Sequence, residues 1–266
     1  MTAYEKRYPV FYEEPHEKSR IDHVIGVMSG KGGVGKSFVT TLTALAMERT
    51  GWNTGILDGD ITGPSIPKAF GLSGGLSQHS GIPYARETNS GIQVVSTNLI
   101  LDHETDPVLW KGPMVAQVLK QYWTEVVYEN LDYLFVDMPP GTGDVPLTVF
   151  QMLPMDGVVI VTSPQGLVTM IVEKAIQMAR MMNIPVLGLV ENMSYFEAPD
   201  TGARYEVFGR SHVDEIAARY DVPVLAKLPM EPELAELFDD GRVEEVDTTP
   251  FQPIVETILT ATRGDN

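Results

Sequence analysis

Residues 30–37 read Gly30-Lys31-Gly32-Gly33-Val34-Gly35-Lys36-Ser37, and they match the pattern G-x-x-x-x-G-K-[S/T] in full. An apolar run from His23 to Met28 precedes them, and a helical pattern from Phe38 to Thr50 follows. The pattern binds phosphate when it stands in this strand–loop–helix order. Backbone N–H groups of small residues wrap the phosphate oxygens, and the helix N-terminus adds partial positive charge. The stretch therefore predicts a nucleotide site in an α/β fold.

Single residues of this loop have separate expected tasks. Lys36 should hold β- and γ-phosphate oxygens, and Ser37 should place its hydroxyl on Mg²⁺. We expect the whole of residues 30–37 and the next helical residue, Phe38, to contact the nucleotide. Lys31 is a second lysine inside the loop, and the alternative for it is a solvated surface lysine.

The rest of the chain alternates apolar strands with helical stretches. Several strands are apolar on both faces, as a buried parallel sheet requires. The pattern predicts a doubly wound α/β domain, mostly parallel, with helices on both faces of the sheet. We expect one domain over residues 22–264, preceded by a flexible or loosely docked arm at 1–21. Residues 62–107 are expected to form long loops with one strand, and 193–212 a polar loop.

Composition excludes several classes of function. The chain has 266 residues, 43% of them hydrophobic, which suffices for a large core. Its net charge is −17 and it has no basic run, which argues against nucleic acid or an anionic membrane as a partner. It has no cysteine, which excludes disulfides and thiolate-held metal sites. No apolar stretch reads as a signal peptide or membrane span, so a cytoplasmic protein is expected.

Two acidic segments lie where strands end. Asp58 and Asp60 follow a short strand beginning at Thr54, and Asp137 follows the apolar strand 131–136. Carboxylates at these strand ends, beside the phosphate loop, can order Mg²⁺ and the attacking water. We expect Asp58 and Asp137 at the metal, whereas Asp144 is expected to cap the next helix.

The loop pattern K-G-G-x-G-K-S resembles the deviant Walker A loop of MinD, ParA, the nitrogenase iron protein and the Mrp/Nbp35 ATPases. Further segments resemble the Mrp/Nbp35 (ApbC-like) group most closely, and the likeness covers about residues 22–260. They read D-G-D-I-T-G-P-S-I-P from Asp58, V-L-W-K-G-P-M from Val108, D-M-P-P-G-T-G-D from Asp137, and V-E-N-M-S-Y-F from Val190.

The resemblance implies roles that the residues alone do not determine. It implies that Lys31 reaches across a dimer interface to the partner's nucleotide, and that Asp60 lies near the attacking water. It also implies that Asn192 bonds the adenine, with Pro229 and Met230 lining the base from the other side. Lys31, Lys36 and Asp60 would then be the catalytic residues of a slow, dimer-dependent ATPase.

The chain departs from this family at one place. Mrp/Nbp35 proteins are mostly described as [4Fe–4S] carriers that hold the cluster between two subunits through a C-x-x-C pair from each. Here Ala198 and Thr201 stand at the aligned positions. Nearby oxygen and nitrogen donors could suit a hard cation, but an acidic surface loop is the simpler interpretation. We therefore expect no iron–sulfur cluster on this chain alone.

Three functions are compatible with these sequence features. The first is a Mg-ATP-hydrolysing homodimer, or a heterodimer with a cysteine-bearing relative, which acts on a metallocofactor-assembly or client protein. The second is a positioning ATPase like MinD or ParA, but residues 254–266 lack the basic amphipathic tail that membrane binding needs. The third is a nucleotide-binding subunit without hydrolysis, which the intact Lys36, Asp60 and Asp137 argue against.

Overall fold

The computed structural model describes residues 9, 11–61, 63, 65–100, 112–165 and 168–263. Within these residues the strands are β1 (Ile21–Met28), β2 (Thr54–Asp58), β3 (Ser77–His79), β4 (Ile82–Tyr84), β5 (Arg86–Glu87), β6 (Gln93–Val95), β7 (Leu131–Asp137), β8 (Gly157–Thr162), β9 (Val186–Glu197), β10 (Arg204–Tyr205) and β11 (Val224–Pro229). The α-helices are α1 (Lys36–Arg49), α2 (Ile66–Ala69), α3 (Gly112–Thr124), α4 (Asp144–Met152), α5 (Val168–Met181), α6 (Val213–Tyr220), α7 (Pro232–Asp239) and α8 (Gln252–Arg263).

Nine of the eleven strands of the described residues form one sheet in the order β10-β9-β8-β1-β7-β2-β6-β5, with β11 also paired to β9, and β3 and β4 form a separate two-stranded sheet. All pairings among β6, β2, β7, β1, β8, β9 and β11 are parallel, whereas β5 and β10 pair antiparallel. One apolar cluster packs α3, α4, α5 and α6 on one face, and another packs α1, α2 and α8 on the other. The predicted doubly wound α/β fold is confirmed.

The sheet brings the predicted polar residues to one edge. β1 runs directly into the phosphate loop, and α1 begins at Lys36. β2 and β7 are neighbours, with Asp58 opposite Asp137 in the pairing register. Because parallel strands end at the same edge, the loop and both carboxylates meet there.

Several predicted elements are wrong in detail. The expected loops of 62–107 contain α2, the hairpin of β3 and β4, and β5 as well as the predicted strand. The polar loop predicted at 193–212 is also wrong, since β9 continues to Glu197 and pairs with β10. These pieces are too short and polar to show a hydrophobic period.

Some predictions fall outside the described residues. They include residues 1–8 and 10 of the expected arm, and Val108 to Lys111 of the family-like segment V-L-W-K-G-P-M. Where the arm is described, Phe11 N–H donates to Gln151 O at 3.1 Å and Glu13 N–H to Met152 O at 3.2 Å. The single domain and the flexible arm stay predictions. Among the helices of the described residues, none combines the length and apolarity needed to cross a bilayer.

Asp156 predicts a pH dependence of stability. This buried carboxylate accepts Val24 N–H at 2.8 Å and lies 3.3 Å from His23 Nδ1. Burial raises its pKa from 3.8 to about 7. Between pH 3.8 and about pH 7, Asp156 is protonated in the folded state but ionised in the unfolded state. The contribution of Asp156 to folding stability therefore falls as the pH rises. From about pH 4 to pH 7, urea unfolding should show a steeper loss of stability in the parent than in Asp156→Asn. Equal slopes would contradict this assignment.

Candidate functional site

The phosphate loop is shaped by glycines in a backbone conformation that other residues rarely adopt. Gly33 and Gly35 both have φ of +82°. At Gly35 an added Cβ would also overlap the side-chain amide of Asn192. Glycine is required there both for the left-handed turn and for the close approach of β9.

Lys36 lies inside a ring of carboxylates. Its side chain is 5% exposed, and its ammonium lies 2.7 Å from Asp137 Oδ1 and 3.6 Å from Asp60 Oδ2. Ser37 Oγ donates to the second oxygen of Asp137 at 2.5 Å. The loop cation and the hydroxyl expected at Mg²⁺ therefore converge on the aspartate at the end of β7.

Asp58 and Asp137 form a buried pair of like groups. Both are at most 1% exposed, and Ser96 Oγ donates to Asp58 at 2.9 Å. Burial above all, and next the charge of Asp137, raise the pKa of Asp58 to about 8. The raised pKa shows that two adjacent buried negative charges are costly without a further cation, which Lys36 only partly offsets.

Thr40 and Ser96 belong to this site, and sequence reasoning missed them. Thr40 Oγ1 lies 2.9 Å from Asp137 Oδ1 and 3.0 Å from Lys36 O, one turn along α1. Ser96 follows β6 and reaches Asp58 from the neighbouring strand. The spacing of Thr40 from Lys36, four residues on a helix, could have signalled a shared face, whereas nothing in the sequence around Ser96 marks it.

The other predicted catalytic residues lie at the rim. Asp60 is held at its backbone N–H by Asp58 Oδ1 at 3.3 Å. Lys31 is exposed, and its ammonium donates to Gln165 of the same chain. Asp144 is not the helix cap that was predicted, because Gly143 occupies that position and Asp144 is the first residue of α4.

One cavity of about 410 Å³ is lined by the residues predicted to contact the base and by Phe38, which was predicted to contact the nucleotide. Phe38, Asn192, Pro229 and Met230 all line it, as do Met193 and Phe196, which sequence reasoning missed. Asn192 Nδ2 donates to Val34 O in the phosphate loop at 3.0 Å. Apolar walls with one fixed amide suit a flat heterocycle.

Ala198 and Thr201 lie at the tip of the hairpin formed by β9 and β10. Gly202 N–H donates to Ala198 O at 2.8 Å, which closes a tight turn. Neither side chain offers the thiolate that an iron–sulfur cluster requires. In the described part of the chain, His, Asp and Glu side chains nowhere gather in threes as a ready metal site. The donors near the hairpin therefore do not converge to replace the missing cysteines.

Donors suited to Mg²⁺ are present beside the phosphate loop. The hydroxyl of Ser37 and the carboxylates of Asp58 and Asp137 are hard oxygen ligands. Mg²⁺ is commonly bound through one or two carboxylates together with substrate phosphates and waters, and this set fits that habit.

Comparison with known proteins identifies relatives over nearly the whole chain. A family model described as ParA, NUBPL iron-transfer P-loop NTPase, matches residues 20–262. The iron-sulfur cluster carrier protein of Clostridium perfringens is 44% identical over 235 residues, which cover 85% of this chain and 82% of the relative. The cytosolic Fe-S cluster assembly factor CFD1 of Kluyveromyces lactis is 39% identical over 85% of this chain and 82% of its own.

Two solved structures are similar in fold to this chain. A nucleotide-binding protein of Archaeoglobus fulgidus in complex with ADP superposes with a TM-score of 0.77 and 41% identity, and covers 87% of this chain and 91% of that one. The cell-division protein MinD of Aquifex aeolicus shares the fold, with a TM-score of 0.61 at 21% identity over 92% of this chain and 98% of its own.

Proposed function

The chain belongs to the ParA/NUBPL iron-transfer family of P-loop NTPases, and from this premise we propose that it is a slow, dimeric Mg-ATPase. Its nucleotide state controls a partner protein of metallocofactor assembly in the cytoplasm. The observation that carries the proposal is the convergence of Lys36, Ser37, Asp58, Asp60 and Asp137 at one sheet edge.

Lys36 is the main phosphate-binding residue in this proposal. Its ammonium already lies between Asp60 and Asp137, so it is fixed in place before a nucleotide arrives. The β- and γ-phosphate oxygens take over these contacts, while the backbone N–H groups of residues 30–37 surround the phosphates. A preorganised cation loses little side-chain entropy on binding, which favours affinity.

Ser37, Asp58 and Asp137 are the residues that would hold Mg²⁺. When bound, the ion neutralises charge on the phosphates. Thr40 and Ser96 fix the two carboxylates by hydrogen bonds at 2.9 Å each. Asp60 is anchored through its backbone to Asp58, and its side chain, 3.6 Å from the Lys36 ammonium, would orient the attacking water.

The cavity beside Asn192 takes the base. Phe38 and Met193 supply apolar walls, and Pro229 and Met230 close the opposite side. Asn192 supplies the amide that distinguishes one base edge from another. In this assignment the base occupies the 410 Å³ cavity, which Asn192 joins to the phosphate loop.

The absence of cysteine is the reason to propose that this chain acts on a partner protein. A cluster carried between subunits needs two cysteines from each, and this chain has none. The proposal therefore assigns the chain a nucleotide-driven change of shape that another protein reads, either as a homodimer or paired with a cysteine-bearing relative. The 193–212 segment, which occupies the place of the family's cluster loop, is the proposed contact surface.

The positioning-ATPase alternative has less support. α8 buries Ile254, Val255 and Ile258 in the domain core, so its apolar face is not free to bind lipid. We propose that neither a membrane nor nucleic acid is a partner. Binding of the Mg-ATP form to anionic vesicles or to duplex DNA at physiological salt would overturn this part of the proposal.

A mixing experiment tests hydrolysis across the dimer. Lys31→Ala should bind ATP but lose turnover, because the lysine that completes each site comes from the other subunit. Asp60→Ala should also be inactive. Mixing the two restores part of the activity, since one site of the mixed dimer then has both residues. Lys174→Ala, at an exposed lysine on α5, is the matched control and keeps full turnover. Turnover by a protein that stays monomeric in ATP would sink the dimer proposal.

A further inference from the structure

Two adjacent residues of β9 contact opposite sides of the domain. Successive side chains of a strand point to opposite faces, so Glu191 and Asn192 diverge. Asn192 Nδ2 donates to Val34 O in the phosphate loop at 3.0 Å. Glu191 Oε1 accepts from Ser211 Oγ at 2.8 Å, where the chain returns from the hairpin to α6. The carboxyl-terminal part of β9 is therefore hydrogen-bonded to the phosphate loop on one face and to the segment before α6 on the other.

The hydrogen bond from Ser211 to Glu191 belongs to a buried network. Glu191 is 1% exposed, and its second oxygen accepts from Ser194 Oγ at 2.6 Å. A buried carboxylate is costly unless it is hydrogen-bonded, and these two charge-assisted bonds offset that cost. Ser211 Oγ also accepts Val213 N–H at 3.3 Å, so the same hydroxyl fixes the start of α6.

The strand is strained at the residue that follows this pair. Met193 has φ of +55°, in the left-handed region that an unbranched, non-glycine residue adopts only at a cost. The pairing of β9 with β11 shifts in register at this point, between Lys227 and Pro229. Met193 also lines the proposed base cavity. A change in that cavity therefore acts on a segment that is already held away from regular strand geometry.

Alternative partners for Glu191 lie beside it. Thr162 Oγ1 and Ser163 Oγ are buried and lack a hydrogen-bond partner among the described residues. With Glu191 and His212 they line a cavity of about 10 Å³, the size of one water. If Ser211 moves away, these hydroxyls can solvate the carboxylate in its place. Coupling between sites requires such a second arrangement, and these two hydroxyls are the donors that would supply it.

We propose that Glu191 is a positioning residue that couples nucleotide binding at the phosphate loop to the 193–212 segment through Ser211. Nucleotide engages Asn192 and Met193, the strained strand end shifts, and the bond from Ser211 to Glu191 transmits the shift to the return of the hairpin. This inference rests on the proposed nucleotide site and identifies how that site controls the proposed contact surface.

A fluorophore on the hairpin tests the coupling. The chain has no cysteine, so Val207→Cys, at an exposed residue between β10 and Ser211, gives a single labelling position on the return of the hairpin. Mg-ADP should change the label's emission in the parent. In Ser211→Ala this change should shrink at least about fivefold, because the link to α6 is cut. Ser194→Ala is the matched control: it removes one bond from the same carboxylate but leaves Ser211 in place, and it should keep the signal.

Further measurements separate the possible failures. Calorimetry should show Mg-ADP affinity within about threefold of the parent in both serine variants, which do not line the base cavity. Ser211→Thr keeps a hydroxyl and should restore the signal even if Ser211→Ala folds poorly. An unchanged signal in Ser211→Ala, equal losses in both alanine variants, or a silent label in a parent that binds nucleotide would each overturn the coupling. A parent that binds no nucleotide would instead overturn the proposed function.

Discussion

Replacing Lys36 with alanine is expected to weaken Mg-ATP binding by at least about 100-fold, because charge-assisted bonds to two phosphates contribute about 3 kcal/mol or more. The side chain is 5% exposed and paired with Asp137 at 2.7 Å, so no other lysine of the described residues occupies its place. Calorimetric titration of both proteins with Mg-ATP measures the effect.

The Lys36→Ala result needs a control for folding. Removing the ammonium leaves the carboxylates of Asp58, Asp60 and Asp137 without their cation, which can lower stability as well as affinity. Thermal unfolding without nucleotide measures that cost separately. Lys68→Ala removes an exposed lysine whose partner is Asp239, and it should leave affinity unchanged. Undiminished affinity in folded Lys36→Ala would overturn the phosphate-site assignment.

The second large effect is a gain of metal binding. The double variant Ala198→Cys with Thr201→Cys should take up a [4Fe–4S] cluster, with about four irons per dimer after anaerobic reconstitution. Both positions lie at the tip of the hairpin of β9 and β10, so each subunit of a dimer presents two thiolates there. Soft thiolates hold such clusters, whereas alanine has no donor and a threonine hydroxyl is a hard ligand.

The matched control is Ala198→Ser with Thr201→Ser. It places oxygen where the first variant places sulfur, with little change in size, and should bind no cluster. Iron uptake by the serine pair would show that iron binds elsewhere. Failure of the cysteine pair, in a protein that still dimerises, would contradict the alignment of Ala198 and Thr201 with the family's cysteines.

The sequence predicted that the phosphate loop and two carboxylates would lie together at one sheet edge, because the signals for these residues are local. The loop 30–37 carries its own pattern, and Asp58 and Asp137 each end an apolar strand, so the parallel sheet brings them together. The cavity proposed for the base was harder to predict, yet Asn192, Pro229 and Met230, which were inferred from the resemblance, line it. Their roles at a nucleotide remain predictions.

What the sequence could not predict depends on contacts between distant segments. The bond from Ser96 to Asp58 joins residues 38 positions apart, and that from Ser211 to Glu191 spans 20. The β9–β10 hairpin was expected to be a loop, because Glu197 to Tyr205 is polar and without period. Pairing with an existing strand decides such segments, and composition does not show it.

The central claim is that this chain keeps the nucleotide switch of its family without the cluster. Anaerobic reconstitution of the unaltered protein with iron and sulfide, followed by iron analysis and an ATP turnover assay on the same sample, tests it most directly. We expect turnover above that of Lys36→Ala, with no iron retained after desalting. About four irons per dimer, with broad absorption near the visible–ultraviolet border, would contradict it.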